Sequence, residues 1–512
     1  MRPIRLVSAF FTVGAWTMAS RVLGFVRDIM IAAFLGAGPA AEAFLIAFSL
    51  PNMFRRFFAE GAFNMAFVPM FSKKLEGDED PQGFAQDAFA GLAGVLIVVT
   101  VIALLAMPWL VIAMASGFVG DDRFDLAVDY GRIAFPYILF ISLAALLSGV
   151  LNATGRFIAA AAAPVLLNLL FVGAMVLADA MGWPIGDALA ITVPIAGLAQ
   201  LGLVWWAASR AGFTLRPAWP RLTPDIKRLA IIAAPAALAG GVVQVNLLVG
   251  RQVASFFDGA IVWLSLADRL YQLPLGVVGI AIGVVLLPDL SRRLRAEDTM
   301  GGQYAFNRAG EIALALTVPA AVALAVIPLP LVSVLFERGA FTAADAQATA
   351  LAVAVYGLGL PAFVLQKVLQ PLYFAREDTK TPFYYALAAL AVNAVLAIGL
   401  APVIGYIAAA WGTTLAGWAM AFLLWRGSRD MGAAAELDAR FTGRVWRILA
   451  ASAVMGAALW MSGRLGAAAF EGGPERYLAL AVLVGGGVVV YFGVGQILGA
   501  FRLSELRGAL KR

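Results

Sequence analysis

Ser20-Arg21-Val22-Leu23-Gly24-Phe25-Val26-Arg27-Asp28 sets two guanidinium groups, a carboxylate and a hydroxyl inside one apolar run from about Leu6 to Leu35. At 100° per residue, Arg21 and Asp28 fall on one line along a helix and Ser20 and Arg27 on another. Gly24 lies between the lines, where the missing side chain lets a ligand or a neighbouring helix approach the backbone. A charge near mid-membrane costs between about 2.5 and 17 kcal/mol, so it faces water or protein by default. The chemistry on offer is anion recognition, since a guanidinium presents a planar, permanently charged fork to phosphate or carboxylate oxygens. An internal salt bridge between helices is the plainer alternative, yet two arginines against one carboxylate leave a cationic surplus.

Similar groups recur along the chain. Arg55, Arg56, Arg251, Arg269 and Lys367 fall within apolar spans, against the acids Asp28, Glu60 and Asp268, with Glu42 near the outer end of the second span. Helical spacing gathers Asn52, Arg55, Arg56 and Glu60 on one side, with Pro51 opening the helix just before them. Asp268-Arg269 precedes Gln272 and Pro274, while Gln244, Arg251 and Asp258 recur every seventh residue, which predicts a structural Arg251–Asp258 pair. Arginines from at least three helices, if they converge, line an aqueous cationic cavity. The expected ligand contacts are therefore Ser20, Arg21, Gly24, Arg27, Asp28, Asn52, Arg55, Glu60, Asp268 and Arg269. Glu42, Arg56, Gln272 and Lys367 are secondary candidates.

The elements that position these groups follow from composition. Hydrophobic residues make up 62% of 512 and charged residues 13%, with a mean hydropathy of +0.89. Such values define an all-α polytopic membrane protein. Cys and His are absent, which removes disulfides, thiolate chemistry, most zinc sites and His-based triads or proton relays; no catalytic residue and no metal site is expected. The formal charge of +6 requires no nucleic acid, because membrane proteins collect Lys and Arg in cytoplasmic loops.

Apolar stretches predict about fourteen spans. They lie near 6–35, 41–71, 85–115, 127–152, 158–180, 187–208, 228–257, 261–290, 308–335, 346–374, 382–400, 404–425, 445–463 and 477–500. The first run continues well past Arg21, so it reads as a span and not as a cleaved leader. Basic residues concentrate in alternate loops by about five to one, Lys73, Lys74, Arg156, Arg292, Arg293 and Arg295 among them, which places both termini in the cytoplasm.

The chain also repeats itself. Leu50-Pro51 recurs as Leu273-Pro274, and Pro69-Met70-Phe71-Ser72-Lys73-Lys74-Leu75 as Pro288-Asp289-Leu290-Ser291-Arg292-Arg293-Leu294. Pro136 and Asn168 match Pro361 and Asn393, and Trp205 matches Trp425, all at displacements of 219 to 225 residues. Six helices per copy is an even number, so both copies insert in the same orientation. The expectation is two parallel six-helix lobes, 1–210 and 226–427, with accessory helices 13 and 14 over 444–500. A cleft between such lobes is the usual site of alternating access.

Several stretches resemble the MurJ (MviN) family of bacterial lipid II flippases. They are Ser20–Asp28, Leu50-Pro51-Asn52 with Arg55-Arg56-Phe57-Phe58-Ala59-Glu60-Gly61-Ala62-Phe63, and Ala267-Asp268-Arg269-Leu270. Phe336-Glu337-Arg338-Gly339-Ala340-Phe341-Thr342 and Ala375-Arg376-Glu377-Asp378-Thr379-Lys380-Thr381-Pro382 extend the likeness, which is collinear over essentially the whole chain. The resemblance implies the exporter superfamily of multidrug and lipid-linked oligosaccharide transporters, with Arg21, Arg27, Arg55 and Arg269 lining a central cavity. It implies a hydrophobic groove from helices 13 and 14 for a lipid tail. The implied activity is transport and not catalysis: lipid II passes from the cytoplasmic to the outer leaflet of the bacterial inner membrane by alternating access.

Two positions depart from the family pattern, Gln272 where Glu is frequent and Val262 where some members have Ser. Some members hold sodium with carboxylates in helices 7 and 11, a ligand set that Asn246 and Asn393 do not reproduce. No cofactor is expected, and the drive is membrane potential or a coupling ion. The expected partners are lipid II and membrane lipids, with no nucleic acid; nothing in the chain demands an oligomer, so a monomer is expected. Two other classes fit less well. A cation-coupled multidrug exporter favours buried acids, whereas this interior is net basic, and an enzyme acting on polyprenyl phosphates needs a cluster of acids or a His within a span.

Overall fold

The computed structural model describes residues 6–55, 62–77, 79–470 and 473–501, apart from the side chains of 6–11, 62–65, 234–247, 277, 279–285 and 468. Among these residues the chain is helical, with one isolated β-bridge between Arg338 and Phe341. A first compact unit comprises Met1–Val262 and Arg338–Phe341. Its helices are α1 (Leu6–Leu35), α2 (Pro39–Arg55), α3 (Ala62–Gly77), α4 (Pro81–Leu105) and α5 (Met107–Ala115). They are followed by α6 (Asp122–Ala134), α7 (Tyr137–Ala153), α8 (Ile158–Met181), α9 (Ile185–Arg210) and α10 (Pro224–Ala254). The second unit, Trp263–Glu337 with Thr342–Arg512, holds most of α11 (Ala260–Arg295), then α12 (Thr299–Val326), α13 (Pro328–Phe336) and α14 (Ala343–Phe374). It closes with α15 (Lys380–Ile404), α16 (Ile407–Ser428), α17 (Ala439–Leu465) and α18 (Glu475–Leu498).

Among the described residues, ten stretches are long and apolar enough to cross a membrane. They coincide with ten of the expected spans. The other four fall on α1, on α2 with α3, on α10 and on α11, and these helices carry Arg21, Arg27, Asp28, Arg55, Arg251, Asp268 and Arg269. The described helices thus accommodate fourteen spans. Val98, Val101, Ile102 and Leu105 on α4 and Val482 and Val489 on α18 stay exposed although apolar, as side chains solvated by lipid do.

Proline produces breaks that hydropathy alone passes over. α4 stops before Ala106 and α5 restarts with Pro108 in its first turn; Phe135-Pro136 parts α6 from α7, and Ile327 ends α12 ahead of Pro328. Pro51 and Pro274, by contrast, stay inside α2 and α11. The helix does not open at Pro51. Instead the Asn52 side chain donates to the Phe48 carbonyl at 2.8 Å, next to the carbonyl that proline leaves unbonded.

Within the first unit α1 packs along α8, α8 and α7 along α9, α2 along α6, and α10 along α3. Within the second, α14 packs on α12 and α16, α15 on α16, and α17 on both α12 and α18. Leu314 and Val318 of α12, Ile448, Met455 and Leu459 of α17, and Leu483 and Tyr491 of α18 form one apolar core. The accessory pair is therefore built onto α12. A buried carboxylate fixes its lower turn: Glu311 meets Arg308 at 2.5 Å and Arg444 at 3.1 Å, with Arg440 at 3.6 Å. Arg210 stacks on Trp206 at 4.3 Å and Arg429 on Trp425 at 3.9 Å, one helical turn apart in each case.

The loop 338–341 completes the first unit, where the Ala340 N–H donates to the Ala33 carbonyl at 2.7 Å. Gly36 (φ +60°) and Gly339 (φ +59°) both adopt the left-handed conformation, and a Cβ on either would meet the opposing backbone. Gly339→Ala adds left-handed strain of about 1–2 kcal/mol and a clash with the Ala33 carbonyl. We expect a fall of a few degrees in the melting temperature of the purified protein. Gly173→Ala on α8, with open space around it, leaves the melting temperature unchanged.

Candidate functional site

The polar stretch of α1 is closed by α8. Asn168 packs against Gly24, and its Nδ2 donates to the Ser20 carbonyl at 3.0 Å and reaches Ser20 Oγ at 3.5 Å. Its Oδ1 accepts from Arg27 Nη1 at 3.0 Å. One amide therefore bridges two positions seven residues apart on α1, across the glycine that lets it approach. Arg27 also donates from Nε and Nη2 to Asp28 Oδ1, at 3.0 and 2.7 Å, and lies 5.6 Å from the centre of the buried Phe171 ring. Arg27 and Asp28 are 7% and 8% exposed, whereas Arg21, in the same stretch, is exposed. The neighbouring helix occupies the space at Gly24.

On α2, Asn52 and Arg55 are half-buried; Arg56 and Glu60 lie outside the described residues. On α11, Gln272 Nε2 donates to Asp268 Oδ2, and Arg269 and Gln272 are exposed, as is Lys367 on α14. Aromatic packing holds this part of α11, with Tyr271 5.2 Å from Tyr356 and 5.7 Å from Phe363 between ring centres. Trp263 Nε1 donates to Asp345 Oδ1 at 2.9 Å. Ser20, Gly24, Arg27 and Asp28 thus share one cluster in the first unit, and Asp268 and Gln272 share another in the second, beside Arg269.

Glu42 belongs to a different cluster. It is 1% exposed and accepts from Arg123 Nη1 at 3.0 Å and from the Ile261 N–H at 3.2 Å. Arg123 also bonds Asp121 at 2.6 Å and Asp258 at 3.1 Å and stacks on Phe118 at 4.5 Å. Because α10 ends at Ala254, Asp258 lies in the following turn and pairs with Arg123, not with Arg251 as the seven-residue spacing predicts. Burial acts to raise the Asp121 carboxyl, but hydrogen bonds from the Arg123 side chain and backbone outweigh it and hold the group below the usual carboxylate range. Beside this cluster Gln252 uses its whole amide: Oε1 accepts from Ser116 N–H and Oγ at 2.8 and 2.9 Å, and Nε2 donates to the Ile112 and Ala113 carbonyls at 2.9 Å.

Asn168, Arg123 and Gln252 are absent from the sequence-based contact set. One signal pointed to the first. The sequence matches Asn168 to Asn393 at a spacing of 225 residues, and Asn393 is likewise buried against a glycine of a neighbouring helix, Gly412. Among the described residues no three acidic side chains come together to hold a metal ion.

The fold class is that of a many-helix membrane transporter. It superposes on an inward-facing multidrug resistance MATE family transporter of the MOP superfamily with a TM-score of 0.68 and 13% identity, covering 83% of this chain and 98% of that one. It superposes on a lipid II flippase MurJ in an inward closed conformation with a TM-score of 0.79 and 24% identity, covering 95% and 98%. In sequence it is 43% identical to a probable lipid II flippase MurJ of Rhizobium meliloti (strain 1021) over 99% of this chain and 96% of that protein. The family described as lipid II flippase MurJ matches residues 31–471, and the chain belongs to that family.

The bridging amide makes a direct prediction. Asn168→Leu leaves a buried guanidinium N–H and the Ser20 contacts without a partner, which costs about 1–3 kcal/mol. Asn168→Asp keeps an acceptor for Arg27. It loses the donor to the Ser20 carbonyl, so melting temperatures of the purified proteins should rank the native chain above the aspartate variant and the aspartate variant above the leucine variant. Equal stability of all three contradicts the bridge.

Proposed function

We propose that this chain moves lipid II from the cytoplasmic to the outer leaflet of a bacterial inner membrane by alternating access. In this reading it acts as a monomer, performs no catalysis, and keeps both termini in the cytoplasm. Family membership supports the substrate. The observation that carries the mechanism is the placement of permanent cations inside apolar spans of α1, α2 and α11, with Arg21 and Arg269 exposed.

Lipid II carries a pyrophosphate, a sugar-peptide head with carboxylates, and a polyprenyl tail. Taken through hydrocarbon alone, each charge of the head costs many kcal/mol. Guanidinium groups replace the lost water with charge-assisted, bidentate hydrogen bonds, while the tail stays in lipid. In our reading Arg21, Arg55 and Arg269 meet the head group, aided by Asn52, Glu60 and Asp268, with Arg56, Gln272 and Lys367 as secondary contacts. Arg27 ties α1 to α8 through Asn168 and also turns its remaining N–H groups to the ligand, while Ser20, Gly24 and Asp28 set its position. Glu42 acts apart from the head group by holding Arg123. Movement of these cations in the membrane field couples transport to the potential, at about 2.3 kcal/mol per charge per 100 mV.

Cells depleted of their own lipid II flippase provide the test. Arg21→Ala and Arg269→Ala should abolish rescue at normal protein level, and the Lys variants should rescue in part. Arg269→Ala combined with Asp268→Ala should remain inactive. Growth of that double variant would assign Arg269 to a structural ion pair and remove it from the head-group site.

A further inference from the structure

The last turns of α11 line an open pocket of about 430 Å³ formed by Leu287, Pro288, Ser291, Arg292 and Arg295. Its lining joins an apolar part to two guanidinium groups and a hydroxyl, and includes no carboxylate. Of the three arginines in this segment, Arg293 is held by two acids: Nε donates to Asp289 at 2.7 Å and Nη1 to Asp298 at 3.2 Å. Arg292 shares Asp289 at 2.5 Å with its side chain 78% exposed, and Arg295 has no acidic partner among the described residues. The pocket also lies where the apolar stretch of α11 gives way to charge.

We propose that this pocket binds the phosphate head group of a membrane lipid. The guanidinium groups of Arg292 and Arg295 and the Ser291 hydroxyl supply donors for phosphate oxygens, and Leu287 and Pro288 receive the first carbons of the lipid. The simpler role for basic residues here is to complement the negative end of the helix dipole and to hold the chain's orientation. That role needs neither a pocket nor a hydroxyl. Part of the sequence layout recurs in α3, where Pro69, Ser72, Lys73 and Lys74 match Pro288, Ser291, Arg292 and Arg293, but Glu76 stands where Arg295 does, so the paired arginines of the pocket belong to α11 alone. The site is separate from the intramembrane arginines and does not depend on which molecule they carry.

The full chain in phosphatidylcholine nanodiscs provides the test, with binding read by native mass spectrometry. Probes are phosphatidylglycerol, farnesyl pyrophosphate and inorganic pyrophosphate. Arg292→Gln with Arg295→Gln is compared with the unaltered chain and with Arg210→Gln plus Arg426→Gln, which removes two other basic residues. The expected result is a loss of about tenfold in lipid binding for the pocket variant alone. Loss with phosphatidylglycerol identifies a phospholipid as occupant, and loss with farnesyl pyrophosphate identifies a polyprenyl carrier. Equal loss in both variants, no loss in either, or an effect confined to inorganic pyrophosphate overturns the proposal. A melting temperature equal to that of the unaltered chain establishes that the pocket variant is folded.

Discussion

Two oxygens make it possible for a guanidinium to sit in the apolar length of α1. Asp28 Oδ1 takes two of the Arg27 donors, and Asn168 Oδ1 takes a third. Without them the charge faces a medium in which an unpaired ion costs several kcal/mol or more. The same amide returns two contacts to Ser20, so the requirement that stabilises the charge also joins α1 to α8. Gly24 permits the approach, and Phe171 fills the space beside the guanidinium. A polar contact and a packing contact are here one device.

The rest of the chain divides along the same physical line. Helices α1, α2, α10 and α11 carry most of the charge expected within spans, Lys367 of α14 apart, and differ from the ten stretches apolar enough to cross a membrane. In the latter, exposed Val and Leu need only lipid. In the former every charge needs a partner, water or a ligand. Glu42 and Arg123 illustrate the first case at the start of α2: a buried carboxylate, a guanidinium divided among three acids, and a backbone N–H. Removing one member of such a set costs more than removing the pair, because the survivor keeps its desolvation without its compensation.

How much of this was legible varied with the distance over which the information acts. Span positions are set by local apolar composition, so the ten apolar stretches fall where hydropathy places them. The breaks at Ala106, Phe135 and Ile327 depend on where each proline falls within its turn, which a hydropathy window averages away. Gly24 was readable as a point of close approach, yet sequence alone left open whether a ligand or a helix comes there; the answer is Asn168, 144 residues further on. The Arg251–Asp258 spacing failed because it assumed a helix four residues longer than the one that forms. Arg123 lies in the first turn of α6, and nothing in its own sequence neighbourhood reveals the buried Glu42 that it meets.

The central claim is that the intramembrane arginines face a polar path and not lipid. The chain has no cysteine, so a single introduced thiol reports one position. Arg21→Cys, Arg269→Cys and, as a lipid-facing reference, Val482→Cys are treated in sealed vesicles with a charged, membrane-impermeant thiol reagent. A polar path predicts rapid labelling at 21 and 269, slowed by added lipid II, and little at 482. Labelling at 21 and 269 as slow as at 482 would contradict it.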